Sequence, residues 1–226
     1  ALLKKSIKKG VLTIERLNAS VRKILRAKYM VGLADYKAID TTNVIKDINT
    51  IKDKLLHRRL IKAAITVVKN DFLDIPIKNL EKKKIAYVSL GDDKGDAYVK
   101  MLNNYTAVTE VKSTNLDELI KKLKDFNLVI IGFHKSDNNP WKSYEFSNKD
   151  LIWLEKIAKK NKVILDVFAS PYSLLKVKSF ANVESVVVSY QNSKLSQELS
   201  AQAIFGAFDI KGKLPVSIKD NFKAES

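Results

Sequence analysis

Six short apolar runs constrain this chain more than any other feature: residues 66–68, 85–90, 107–111, 128–133, 163–168 and 185–189. Most are apolar in succession rather than alternating, as a parallel strand must be when helices cover both of its faces. Between them lie segments of helical period, 97–103, 116–124, 148–159, 172–180 and 195–205. Strands that alternate with helices of about ten residues predict βαβ units. The expected fold class is α/β: an open, doubly wound, mostly parallel sheet with helices on both faces, a three-layer sandwich.

The stretch before the first run reads differently. Thr13 is placed to cap a helix whose apolar residues Leu17, Val21, Ile24 and Leu25 fall on one face, and Gly32 sits where a left-handed turn would stop it. Residues 34–49 have no sustained period and many turn formers, which suits a linker. Thr50 with Asp53 then resembles a capping box opening an interdomain helix through Ala64. With 226 residues and 46% apolar content, the chain can bury one substantial core plus an extension. No window approaches about eighteen uninterrupted apolar residues, and the first residues lack the features of a signal peptide, so no membrane span is expected. The absence of cysteine excludes disulfides, thiolate metal sites and cysteine nucleophiles.

The net charge of +16 invites a nucleic-acid reading. Only five of the 41 basic residues are arginine, however, and all five fall between Arg16 and Arg59, while lysines occur in nearly every segment. Nucleic-acid binders concentrate charge on one face and use arginine for bidentate contacts. Dispersed lysine reads as a solvated coat, with attraction to cell-wall polymer or nucleic acid as the competing reading.

In doubly wound sheets chemistry gathers in the loops after the carboxyl ends of strands. The first such loop, Gly91-Asp92-Asp93-Lys94-Gly95-Asp96, lacks dinucleotide-fingerprint spacing, and its three carboxylates would repel a phosphate. It reads as a turn into a helix. A receiver-domain reading fails because His134 and Gln191 stand near the places where an aspartate and a lysine are required. The second loop runs from His134 to Tyr144, and Ser147 with Asp150 forms a capping-box signature after it. It is long, polar and carries two aromatic rings, a composition suited to a sugar. His134, Asp137, Trp141 and Tyr144 are the candidate substrate-binding residues; the alternative is that Trp141 and Tyr144 pin the loop to its own domain or to a partner domain.

Catalytic candidates are few. His57 and His134 are the only histidines, which gives no support to a metal site, and no Gly-x-Ser-x-Gly elbow is present. No pair of carboxylates is fixed by spacing at glycosidase separation.

Four segments together carry a family resemblance: 15–28 (ERLNASVRKILRAK), 63–70 (AAITVVKN), 195–206 (LSQELSAQAIFG) and 212–218 (GKLPVSI). In this order they resemble the second domain of family 3 glycoside hydrolases. The first looks like the helix that closes the family's catalytic (β/α)8 barrel, the second like the strand entering the α/β domain, and the last two like that domain's final helix and Gly-x-Leu-Pro ending. The resemblance implies a larger retaining enzyme whose aspartate nucleophile lies on a barrel outside this chain, so no catalytic residue is expected here. It implies residues 1–33 as the closing helix, 34–64 as linker and interdomain helix, and 65–226 as the α/β domain.

A departure from the family selects a branch. Its β-glucosidases and β-xylosidases carry an acid/base glutamate, then Gly and Asp-Arg, in the loop after the strand matching 128–133. The segment 134–144 has no glutamate, and Glu145 stands late and without those companions. The chain resembles instead the β-N-acetylglucosaminidase branch, whose acid/base dyad sits on the barrel. The expected function is that of a supporting, substrate-shaping domain of a β-N-acetylhexosaminidase acting on cell-wall or chitin-type saccharides, without cofactors and without nucleic acid. Its partner is the N-terminal barrel, and the parent is placed in the periplasm or cell envelope, with the cytoplasm as the alternative. The competing expectations are a β-glucosidase-like member using Glu145 or Asp137 as acid/base, and a stand-alone lysine-rich module for anionic glycan or nucleic acid.

Overall fold

The computed structural model describes residues 2–72, 74–219 and 221–225; Ala1 and Ser226, the outer limits of the expected 1–33 and 65–226 segments, lie outside them. Two compact units are formed, Ala1–Thr50 and Ile51–Ser226. The first holds helices α1 (Leu2–Lys8), α2 (Ile14–Met30) and α3 (Val44–Asp47). Thr13 caps α2 by accepting the Arg16 amide at 3.2 Å, and Gly32 just beyond the helix adopts φ 78°. The apolar stripe of α2 stays open to solvent: Val21, Ile24 and Leu25 are 43%, 56% and 58% exposed, and none of these three helices contains a buried residue.

The second unit opens with α4 (Ile51–Ala64) and β1 (Thr66–Asn70), followed by β2 (Ile85–Gly91), α5 (Asp96–Leu102), β3 (Val108–Glu110) and α6 (Leu116–Leu123). The chain continues through β4 (Leu128–His134), α7 (Asn148–Ala158), β5 (Val163–Phe168), β6 (Ser185–Val188) and α8 (Lys194–Ile204). The strands form one six-stranded sheet in the order β1-β6-β5-β4-β2-β3. Every pairing is parallel except that of β1 with β6, which runs antiparallel and shifts register between Val67 and Lys69.

The continuous apolar character of β4 and β5 has the expected cause: every residue of both strands is buried. Successive side chains point to opposite faces. Ala86, Val88 and Leu90 of β2 join Leu119 and Leu123 of α6 and Leu154 and Ile157 of α7 in one core. Ile85 and Tyr87 meet Ile61 of α4, Tyr98 and Leu102 of α5, and Leu199 and Ile204 of α8 in the other. The result is the predicted three-layer α/β sandwich. Leu214 and Ile218 of the terminal GKLPVSI segment are fully buried in the first core, so this motif is part of the packing.

One expected helix is replaced. Over 172–180 the chain makes only a short 3₁₀ helix, Pro171–Lys176. Pro171, Ser173 and Leu174 are the buried residues of that turn, and residues 177–180, among them the buried Val177 and Phe180, lie in no helix. Among the described residues no helix is long and apolar enough to cross a membrane.

Candidate functional site

The loops leaving β2 and β4 are knitted together at the carboxyl edge of the sheet. Gly91 takes φ +96°, and a Cβ there would lie 2.0 Å from the His134 carbonyl oxygen. This close approach lets the amides of Asp92 and Asp93 both donate to that oxygen, at 3.0 and 3.3 Å. Asp92 in turn accepts from Lys135 Nζ at 2.9 Å and from the Ser136 amide at 3.2 Å. Burial alone would raise the Asp92 carboxyl; the Lys135 and Ser136 contacts outweigh it and hold the group below the ordinary aspartate range. The acidic 91–96 loop is therefore a brace for its neighbour.

The far end of the second loop is fixed by other means. Ser147 and Asp150 form the reciprocal capping box on α7. Asp150 Oδ1 also accepts the Gly91 amide at 3.3 Å, so one carboxylate ties both loops. Phe146 stacks on Phe133 with ring centroids 3.6 Å apart. Phe146 is the anchor of the loop on its own domain, where Trp141 and Tyr144 were candidates to pin it to that domain or to a partner domain. Trp141 is instead 90% exposed and Tyr144 44% exposed, and Asp137 also faces solvent. A local turn, in which Asn139 Oδ1 accepts the Trp141 amide at 2.9 Å, presents the indole outward. Glu145 is salt-bridged to Lys176 at 2.7 Å.

His134 stands apart from the other three candidates. Its ring is completely buried, stacked on Phe168 at 4.5 Å, and engaged at both nitrogens. The Asn192 carbonyl oxygen lies 2.7 Å from Nδ1 and the Tyr87 hydroxyl 2.7 Å from Nε2. Gln197 Nε2 also donates to Asn192 Oδ1 at 2.7 Å, which fixes that atom as an acceptor. Nδ1 must then carry the proton, and Tyr87 donates to Nε2. Burial pushes the imidazole down to about 4, against the raising effect of the Asn192 contact. Space for the pair comes from Gly95 and Gly132, where a Cβ would fall 2.4 Å from Nε2 in each case. A glycine inside an apolar strand is a sign of such an approach, and Gly132 is the one local trace of a contact made between residues 47 positions apart.

A second buried polar group lies on β5. Asp166 accepts hydrogen bonds from the hydroxyls of Ser189 at 2.7 Å and Ser200 at 2.5 Å. Burial raises its carboxyl to about 6, with the two serine contacts opposing. The Tyr98 hydroxyl is held near the same carboxylate without reaching hydrogen-bond geometry, and burial, then the Asp166 charge, raises it well above the ordinary phenol range. Both polar clusters are enclosed, so they position the strand ends rather than meet a ligand directly. The accessible chemistry of this edge is an exposed indole, a phenol, a carboxylate and lysines.

No protein-family model matches the chain. A protein of Formosa agariphila that carries the provisional name beta-xylosidase is 22% identical over 251 aligned residues, which take in 96% of this chain and 33% of that protein. Among solved structures, the beta-glucoside phosphorylase BglX bound to 2FGlc superposes with a TM-score of 0.72 at 22% identity, covering 96% of this chain and 41% of that one. A fungal multi-domain GH3 beta-N-acetylglucosaminidase gives a TM-score of 0.70 at 18% identity, covering 99% and 26%. The α/β fold matches the C-terminal domains of family 3 glycoside hydrolases. The chain spans about a third of the curated relative's length.

Proposed function

We propose that this chain is the C-terminal domain of a retaining family 3 glycoside hydrolase of the β-N-acetylhexosaminidase type, which removes terminal β-linked N-acetylglucosamine from cell-wall or chitin-type saccharides. Residues 1–33 close the catalytic barrel, 34–64 link it, and 65–226 support it. The exposed α2 stripe is the face that the barrel would cover. Asp137, Trp141 and Tyr144 form the part of the 134–144 loop that meets sugar, the indole offering a flat apolar wall for ring C–H groups. His134 supports that loop from beneath.

The observation that carries the branch is the state of the loop's carboxylates. Glu145, one of the two residues that could serve a β-glucosidase-like mechanism, is paired with the Lys176 ammonium. Asp137 is exposed in this chain and no salt bridge holds it among the described residues. The second reading, with Glu145 or Asp137 as acid/base, is favoured by the name of the Formosa relative.

The test is the reading frame upstream of this chain, expressed together with it and assayed on aryl β-N-acetylglucosaminide, β-glucoside and β-xyloside. Selective cleavage of the first is expected, with no turnover by the 226-residue chain alone because, on this reading, the nucleophile of the retaining reaction is carried by the barrel. Preference for glucoside or xyloside would transfer the assignment to the second reading.

A further inference from the structure

The lysines that look dispersed along the sequence converge at the end of the sheet opposite the loops just described. Ile85 pairs with Leu128, and Val129 with Val163, so the residues entering β2, β4 and β5 lie side by side at the amino edge. Lys82, Lys83 and Lys84 lead into β2, Lys121 and Lys124 precede β4, and Lys160 and Lys162 lead into β5. Between α6 and the start of β5 the surface dips into a groove of about 850 Å³, lined by Lys121, Lys124, Lys160 and Lys162 around Phe126 and Asn127. Among the described residues none of these seven lysines forms a salt bridge. The nearby acidic residues are Glu81, Asp117, Asp125 and Glu184, whose amide donates to Val163 at the start of β5, while Glu118 is taken by Lys122, so against the seven lysines positive charge is in excess. Lys121 and Lys124 also complement the carboxyl end of the α6 dipole, but Lys83, Lys84 and Lys162 lie outside every helix.

We propose that this edge is a docking strip for an acidic polysaccharide, whose carboxylates engage the lysine heads while the sugar chain lies along the groove. The spacing fits. Lys84 and Lys162 flank the entry to β4 across two strand intervals, about 10 Å at the usual interstrand separation, comparable to two successive sugar rings. Nucleic acid fits less well. No arginine lines the groove, so no guanidinium fork serves phosphate or guanine within it. Phe126 packs against the core, which takes its ring from service as a base-stacking platform. The strip rests on charge placement alone and is independent of the catalytic assignment.

The test uses the whole chain with three probes: polygalacturonate, neutral dextran and a single-stranded oligonucleotide. One variant combines Lys121→Gln, Lys124→Gln, Lys160→Gln and Lys162→Gln. A control combines Lys4→Gln, Lys5→Gln, Lys8→Gln and Lys9→Gln, which removes the same formal charge from the first unit. All eight positions are exposed, so unchanged melting curves are expected for both variants. The parent chain should bind polygalacturonate in preference to the oligonucleotide and ignore dextran. The groove variant should lose affinity by about tenfold at low salt while the control stays within about twofold. Equal losses in the two variants would reduce the effect to bulk charge and overturn the proposal, as would an absence of polygalacturonate binding. Tighter binding of the oligonucleotide would reassign the strip to nucleic acid.

Discussion

Gly91→Ala is expected to destabilise the α/β unit by about 4 kcal/mol, from left-handed backbone strain combined with overpacking. In a domain of this size that lowers the melting temperature by roughly 10 °C. The added methyl would meet the His134 carbonyl oxygen and carbon, at 2.0 and 2.9 Å, and neither atom belongs to a flexible side chain that could turn aside. The same oxygen accepts from Asp92 and Asp93, so moving it also strains the brace between the two loops. Gly10→Ala is the matched control, because Gly10 has φ +71° but nothing within 4 Å of where a methyl would stand. It should cost only about 1 kcal/mol. Thermal melting of both variants checks this, and equal shifts would remove the close approach from the account.

Between about pH 4 and 6 the two buried titrating groups are expected to cancel in the stability of the native chain. Asp166 is raised from 3.8 to about 6, so its favourable contribution is full below the unfolded value and is lost as pH rises through the folded one. His134 is lowered from 6.5 to about 4, so its contribution is present above the unfolded value and is lost as pH falls through the folded one. Each shift corresponds to about 3 kcal/mol over its window. Asp166→Asn should therefore leave a chain whose stability rises as pH climbs from about 4 to 6.5. His134→Gln should leave one whose stability falls from about pH 4 to 6. Urea denaturation across this range reads the slopes, which survive any uniform loss of stability in either variant. Slopes parallel to the parent's in both variants would show that neither group titrates as described.

Much of the sheet was legible because β4 and β5 are covered on both faces, and burial on two sides leaves a continuous apolar run that little else produces. The cap at Thr13 and the box at Ser147 and Asp150 were legible too, since each is closed by residues three positions apart. What pairs across distance left almost no local trace. His134 and Tyr87 are 47 residues apart and meet only because β2 and β4 are neighbours in register. Asp150 reads as a helix cap, and nothing local reveals that its other oxygen holds Gly91. The lysine strip was invisible for the same reason: the residues entering β2, β4 and β5 are separated by helices in sequence and become neighbours only in the folded sheet. The long loop was recognised by composition, but composition could not say which of its aromatic residues faced inward. Phe146, just beyond the segment singled out, took the anchoring role.

If this domain shapes a sugar site without supplying its acid/base, steady-state kinetics on the parent enzyme carrying Glu145→Gln, Asp137→Asn or Trp141→Ala will separate the two roles. Both carboxylate variants should keep kcat within about threefold of the parent, while Trp141→Ala raises KM because an aromatic wall contributes binding and orientation. A fall in kcat of roughly 10²- to 10⁴-fold in either carboxylate variant, the scale of a lost general acid, would contradict that division of labour.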